Sequence, residues 1–145
     1  MRKPKILLVD DEERFLSTTR KVLQRKGFEV LTAASGAGAL ATLELNPVDV
    51  AILDVKMPGM DGIAALKEIK RRHPLVEVIM LTGHGTFESA VEGMKSGATD
   101  YLTKPSEIDE LLEKVAEAFE KRQRLEEKIR AIQERQQPRS DEEPS

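Results

Sequence analysis

Ile6-Leu7-Leu8-Val9-Asp10-Asp11 is the stretch that decides the fold. Four apolar residues run on without polar alternation, as in a strand buried on both faces, and two aspartates stop them at once. Val50-Ala51-Ile52-Leu53 reads the same way and ends at Asp54. Val76 to Leu81 does so as well and ends at Thr82, while Val30-Leu31 and Tyr101-Leu102 are shorter candidates. Segments of helical period lie between these runs. Phe15, Val22 and Leu23 mark the first helix, with Gly27 as its stop. Leu40 and Leu43 mark a second, started near Ser35 and stopped before Pro47. Ile63, Leu66 and Ile69 mark a third, closed by Pro74. Phe87, Ala90, Val91 and Met94 share one face of a fourth, with Gly97 past its end, and Ile108, Leu111, Leu112 and Val115 open a long fifth. Five strand-helix units predict an α/β fold, a parallel sheet covered by helices on both faces.

The polar residues fall in one place on that plan. Asp10 and Asp11, Asp54, Thr82, and Lys104-Pro105 each follow a strand, so all lie at the carboxyl edge of a parallel sheet, where open α/β folds bind ligands. Taken singly, an aspartate after a strand is often a helix N-cap and a lysine an ordinary surface residue. Taken together they make a pocket. Three crowded carboxylates raise one another's pKa unless a cation intervenes, and a hard divalent ion such as Mg²⁺ suits oxygen ligands. Asp54 can then act as a nucleophile toward phosphorus, with Lys104 and the Thr82 hydroxyl stabilising the transferred oxygens.

Composition narrows the class. The 145 residues suit one domain with a short appendage, and the absence of cysteine excludes a disulfide framework or thiolate metal site. The basic start, Met1-Arg2-Lys3-Pro4-Lys5, precedes too short an apolar run for a signal peptide or a membrane span, so a cytoplasmic protein is expected. A net charge of −3 and 3% aromatic residues give no case for direct nucleic-acid binding. His73 reads as a dipole partner at a helix end, Asp61 as the cap of the third helix, and Asp49 as a cap in the turn before a strand. Gly59 and Gly62 serve backbone geometry in the loop after Asp54.

Several segments closely resemble the receiver domain of bacterial two-component response regulators. They are Ile6 to Glu12, Leu53-Asp54-Val55-Lys56-Met57-Pro58-Gly59-Met60-Asp61-Gly62, Leu81-Thr82-Gly83 and Gly97-Ala98-Thr99-Asp100-Tyr101-Leu102-Thr103-Lys104-Pro105. The resemblance implies a flavodoxin-like (βα)5 sheet of strand order 2-1-3-4-5. It implies Asp54 as the phosphoacceptor, supplied by a histidine kinase or phosphotransfer protein. It also implies Mg²⁺, or Mn²⁺ in its place, held by Asp11, Asp54 and the backbone carbonyl of Lys56, with Asp10 assisting through water. Thr82 and Tyr101 are the implied switch pair, Lys104 the phosphate-contacting lysine, and Lys104–Pro105 a cis bond. Lys56 and His84 resemble positions that tune dephosphorylation, or else are polar side chains at the rim. Such a domain is a signalling phosphoacceptor that promotes its own phosphoryl transfer and dephosphorylation, rather than a metabolic enzyme.

The expected division is a receiver over 1–120, a helical extension over 121–137 and a disordered tail over 138–145. Ile108, Leu111, Val115, Ala118, Leu125, Ile129 and Ile132 keep a heptad spacing that Arg122 interrupts. Beyond about Phe119 no sheet remains to cover that seam. A two-stranded coiled coil, and so a homodimer, is one outcome; a solvated helix is the other. The segment from Phe87 to Lys104 resembles receivers of enhancer-binding transcription activators. No ATPase or DNA-binding module follows here, so the chain acts on a separate downstream protein or is a fragment of a longer one. Two other readings stand beside the switch. One is a phosphohydrolase with an aspartyl-phosphate intermediate, disfavoured because Lys56 occupies the proton donor's place. The other is a dimerisation scaffold with an inactive pocket.

Overall fold

The structure, a computed structural model, describes residues 2–56, 61–83 and 85–136. The expectations placed on Gly59, His84 and the segment 137–145 lie outside them. Ten elements alternate without exception: β1 (Lys5–Val9), α1 (Glu13–Arg25), β2 (Glu29–Ala33), α2 (Gly36–Leu45), β3 (Val50–Leu53), α3 (Gly62–Arg72), β4 (Glu77–Thr82), α4 (Phe87–Lys95), β5 (Asp100–Thr103) and α5 (Ile108–Gln136). The strands form one parallel sheet in the order β2-β1-β3-β4-β5, as expected.

The period of two along each strand sorts its side chains into two cores. Leu7, Val9, Ala51, Leu53, Val78 and Met80 face α2 and α3, where Leu40, Leu43, Leu66 and Ile69 meet them. Their neighbours Ile6, Leu8, Val50, Ile52, Ile79 and Leu81 face α1 and α5, against Leu16, Leu23, Leu111, Val115 and Phe119. Both faces are covered, which is why the strands read as unbroken apolar runs. The helix stops behave as the composition suggests. Ser35 accepts a hydrogen bond from Gly38 N and Asp61 accepts one from Ala64 N, while Gly27 and Gly97 take φ values of +92° and +108° just past α1 and α4.

Two expectations change in the folded chain, and one helix face left open by its periodicity is settled. β4 begins at Glu77 rather than Val76, because the Val76 amide turns back to the His73 carbonyl. The apolar face of α4 is only partly covered: Phe87 and Met94 are 84% and 48% exposed, Ala90 and Val91 are half-buried, and within the helix only Gly93 is buried. Asp49 does more than cap a turn. Its buried carboxylate accepts two hydrogen bonds from Arg2, at 2.7 and 3.0 Å, and one from Lys5 N, and it lies 3.5 Å from Arg122 Nε. Arg122 also donates to the Val48 carbonyl and to Glu126. The residue that breaks the heptad seam therefore ties α5 to the amino-terminal edge of the sheet. Below it, Leu125 and Ile132 are exposed, at 37% and 49%.

Candidate functional site

The opposite edge of the sheet carries the acidic cluster. Backbone pairing sets it: Asp10 N donates to the Ala33 carbonyl and Asp54 N to the Val9 carbonyl, so the two aspartates sit at the ends of adjacent strands. Lys104 N donates to the Thr82 carbonyl and brings the last strand's lysine to the same edge. Carboxylate oxygens of Asp10, Asp11 and Asp54 lie within 4.8 Å of one another. Asp10 and Asp54 are buried and Asp11 is exposed, so the cluster opens to solvent on one side. Thr82 is buried at the end of β4.

Each carboxylate is placed by something local. Asp10 accepts the Glu12 amide at 2.9 Å, an Asx-type turn that leads into α1. Asp54 faces the Lys56 amide at 3.4 Å. Gly62 opens α3 directly beneath Asp54, and a Cβ there would stand 1.9 Å from the Asp54 carbonyl oxygen. No other residue type lets helix and loop close at that distance.

Lys104 supplies the balancing charge. Its ammonium donates to Asp10 and, at 3.3 Å, to Glu12, and it lies 3.9 Å from the centre of the Phe15 ring. Burial pushes the Asp10 carboxyl above the usual range; the Lys104 contact and the Glu12 amide oppose this without cancelling it, and the charge of Asp54 adds to it. Burial works against the Lys104 ammonium too, but its bond to Asp10 and the charges of Asp10 and Asp54 hold its pKa above the ordinary lysine value. Among the described residues the site therefore carries excess negative charge, partly balanced by Lys104.

The donor set fits a hard divalent cation. Among the described residues it offers three carboxylates and no nitrogen or sulfur ligand, and its oxygens are spaced close to what one ion with bonds of ~2.1 Å spans. The exposed side at Asp11 leaves room for water.

Asp10, Asp11, Asp54, Thr82 and Lys104 thus meet at one edge, and the Lys104–Pro105 bond is cis. Tyr101 lies on β5, half-buried, with its hydroxyl 2.8 Å from Ser89 Oγ on α4. Sequence reasoning missed Glu12, Phe15 and Ser89. Glu12 had a signal, since it directly follows the aspartate pair; Phe15 and Ser89 read as ordinary helix residues.

Known proteins share this fold. The family model described as response regulator receiver domain matches residues 6–116. The DNA-binding transcriptional regulator NtrC of Escherichia coli (strain K12) is 38% identical over 135 residues, covering 93% of this chain and 27% of that protein. A putative response regulator, NtrX-like, of Rickettsia bellii is 43% identical over 109 residues, covering 74% of this chain and 23% of that protein. The chain spans about a quarter of the length of these curated relatives. Among solved structures, the response regulator receiver domain protein (CheY-like) from Methanospirillum hungatei JF-1 superposes with a TM-score of 0.81 at 32% identity, over 85% of this chain and 98% of that one. NtrX from Brucella abortus gives a TM-score of 0.81 at 33% identity, over 90% of this chain and 30% of that one. A sheet of this order with this carboxyl edge, matched over most of its length, places the chain in the response regulator receiver domain family of two-component signalling systems.

Proposed function

We propose that Asp54 accepts a phosphoryl group from the phosphohistidine of a histidine kinase or phosphotransfer protein. The observation that carries this is the placement of the buried Asp54 carboxylate within 4.8 Å of those of Asp10 and Asp11, at the sheet edge that Lys104 shares. A carboxylate oxygen of Asp54 attacks phosphorus, the donor's P–N bond breaks, and the imidazole leaves with the electron pair. Lys104 stands at the edge where the phosphoryl oxygens arrive and offsets their charge; the Thr82 hydroxyl supplies a hydrogen bond. Asp11, Asp54 and the backbone carbonyl of Lys56 would hold Mg²⁺ or Mn²⁺, with Asp10 assisting through water. When bound, the ion shields the incoming phosphoryl charge from the carboxylates. By the same apparatus the domain promotes its own phosphorylation and dephosphorylation.

Thr82 and Tyr101 form the switch pair, connecting the pocket to α4, β5 and α5, so phosphorylation alters a protein-binding surface read by a downstream protein. The receiver comprises 1–120, and the helical extension begins at 121 and is described as far as Gln136. Its exposed Leu125 and Ile132 favour pairing with a second copy through α5. Among the described residues no helix is long and apolar enough to cross a membrane, and a cytoplasmic location suits a kinase-supplied switch.

Intact mass after incubation with acetyl phosphate or a phosphoramidate, with and without Mg²⁺, tests the reading. A Mg²⁺-dependent gain of one phosphoryl group, labile to hydroxylamine and lost in Asp54→Asn, is expected. An adduct that survives Asp54→Asn unchanged refutes the assignment.

A further inference from the structure

The hydrogen bonds around Ser89 form a closed account. Ser89 is the third residue of α4 and belongs to the capping box of that helix: Ser89 N donates to Thr86 Oγ1, and Thr86 N donates to Ser89 Oγ, both at 3.0 Å. Ser89 Oγ also donates to the Thr86 carbonyl at 3.0 Å. A serine hydroxyl has one proton and two lone pairs. Its proton is committed to Thr86 and one lone pair to the Thr86 amide, so the contact with Tyr101 at 2.8 Å has the tyrosine as donor. With that bond every site on the Ser89 oxygen is filled.

The surroundings show what the bond restrains. A Cβ on Gly85 would stand 2.9 Å from the Tyr101 hydroxyl oxygen and 3.4 Å from Thr82 Cγ2. The missing side chain of Gly85 therefore borders both the phenol and Thr82. Further along α4, a Cβ on Gly93 would lie 3.7 Å from Tyr101 Cδ2. The ring lies along α4 between two glycines, with Ser89 holding its polar end.

We propose that Ser89 is a positioning residue for the tyrosine switch: its hydroxyl holds Tyr101 against the first turn of α4, so rotation of the ring away from that turn must break this bond. The proposal rests on the reading of Thr82 and Tyr101 as the switch pair. Leaving Ser89 costs Tyr101 one ordinary hydrogen bond, and this biases the unphosphorylated protein toward the ring position held by Ser89.

The chain contains one tyrosine and no tryptophan, so a probe on tyrosine reports position 101 alone. The protein is labelled with 3-fluorotyrosine, and the ¹⁹F resonance is recorded for wild type, Ser89→Ala and Ser89→Thr. Each is measured alone and with Mg²⁺ and beryllium trifluoride as a phosphoryl mimic. In Ser89→Ala alone the resonance moves toward the position that the mimic induces in wild type, and phosphorylation by acetyl phosphate accelerates about fivefold, the factor that one lost hydrogen bond implies. Ser89→Thr, which keeps the hydroxyl, restores both readouts. The latch is overturned if the mimic moves the wild-type resonance while Ser89→Ala matches wild type without it, or if Thr fails to rescue. A wild-type resonance that bound mimic leaves in place overturns the switch reading itself, and the two failures have different signatures.

Discussion

Replacing Asp54 with asparagine should stabilise the metal-free protein, although most substitutions at buried sites do the opposite. Asp54 is 2% exposed, and its carboxylate oxygen lies within 4.8 Å of those of Asp10 and Asp11. At an effective dielectric near ~20, two unit charges at that spacing repel by about 3 kcal/mol. Asp11 is exposed, so solvent screens most of its share. Lys104 attracts Asp54 as well as Asp10, and losing that attraction offsets part of the gain. Asparagine keeps the shape of the side chain and leaves the Lys104–Asp10 pair in place. The net expectation is a gain of roughly 1–2 kcal/mol. Urea unfolding followed by far-UV circular dichroism in EDTA reads it directly. With a slope near ~2 kcal/mol per molar, the midpoint should rise by roughly 0.5–1 M. In millimolar Mg²⁺ the wild type should gain stability and the variant much less, because a cation that binds the folded state stabilises it by mass action. An asparagine variant less stable than wild type in EDTA would refute the reasoning. It would mean that hydrogen bonding to the Asp54 carboxylate outweighs the crowding of charge.

The other predictions concern positions that serve the site from a distance. Gly62→Ala puts a Cβ 1.9 Å from the Asp54 carbonyl oxygen and 2.6 Å from Val55 Cα, so a loss of about 3 kcal/mol or more is expected by thermal unfolding. Asp49→Ala removes a buried carboxylate and leaves the Lys5 amide and the Arg122 guanidinium without it, which should cost about 3 kcal/mol, whereas Arg2→Ala, at a side chain 56% exposed, should cost about 1 kcal/mol or less. Burial would raise the pKa of Asp49, but its hydrogen bonds from Arg2 and Lys5 N and the charges of Arg122 and Arg2 bring it below the ordinary value. Its contribution is therefore present above the unfolded pKa of about 3.9 and lost as pH falls through the lower folded value. Asp49→Ala should flatten that acid limb in a series of unfolding curves. Phe87→Ser should leave stability within about 0.5 kcal/mol, because the ring is 84% exposed, while weakening capture of whatever protein reads α4. A matching loss of stability would show instead that the ring packs in solution.

What the amino-acid sequence determined by itself was everything carried by short-range pattern. Unbroken runs such as Ile6 to Val9 and Val50 to Leu53 require burial on both faces, which in turn requires helices on both sides of a parallel sheet. Once strands are parallel, residues that follow them share an edge, so Asp10, Asp11, Asp54, Thr82 and Lys104 were legible as one site before any coordinates. The tertiary structure decided the partnerships between elements far apart in the chain. Nothing local marks Arg2, Asp49 and Arg122 as one cluster, because their meeting depends on how α5 packs beneath the sheet. Arg122 read as a flaw in a heptad seam and proved to tie the helix to the amino-terminal edge of the sheet. The apolar face of α4 was legible as a face, but its exposure was not, since periodicity shows that residues share a side and is silent on what covers it. Ser89 likewise read as an ordinary helix residue. Only packing of α4 against β5 brings its one free lone pair to the hydroxyl of Tyr101.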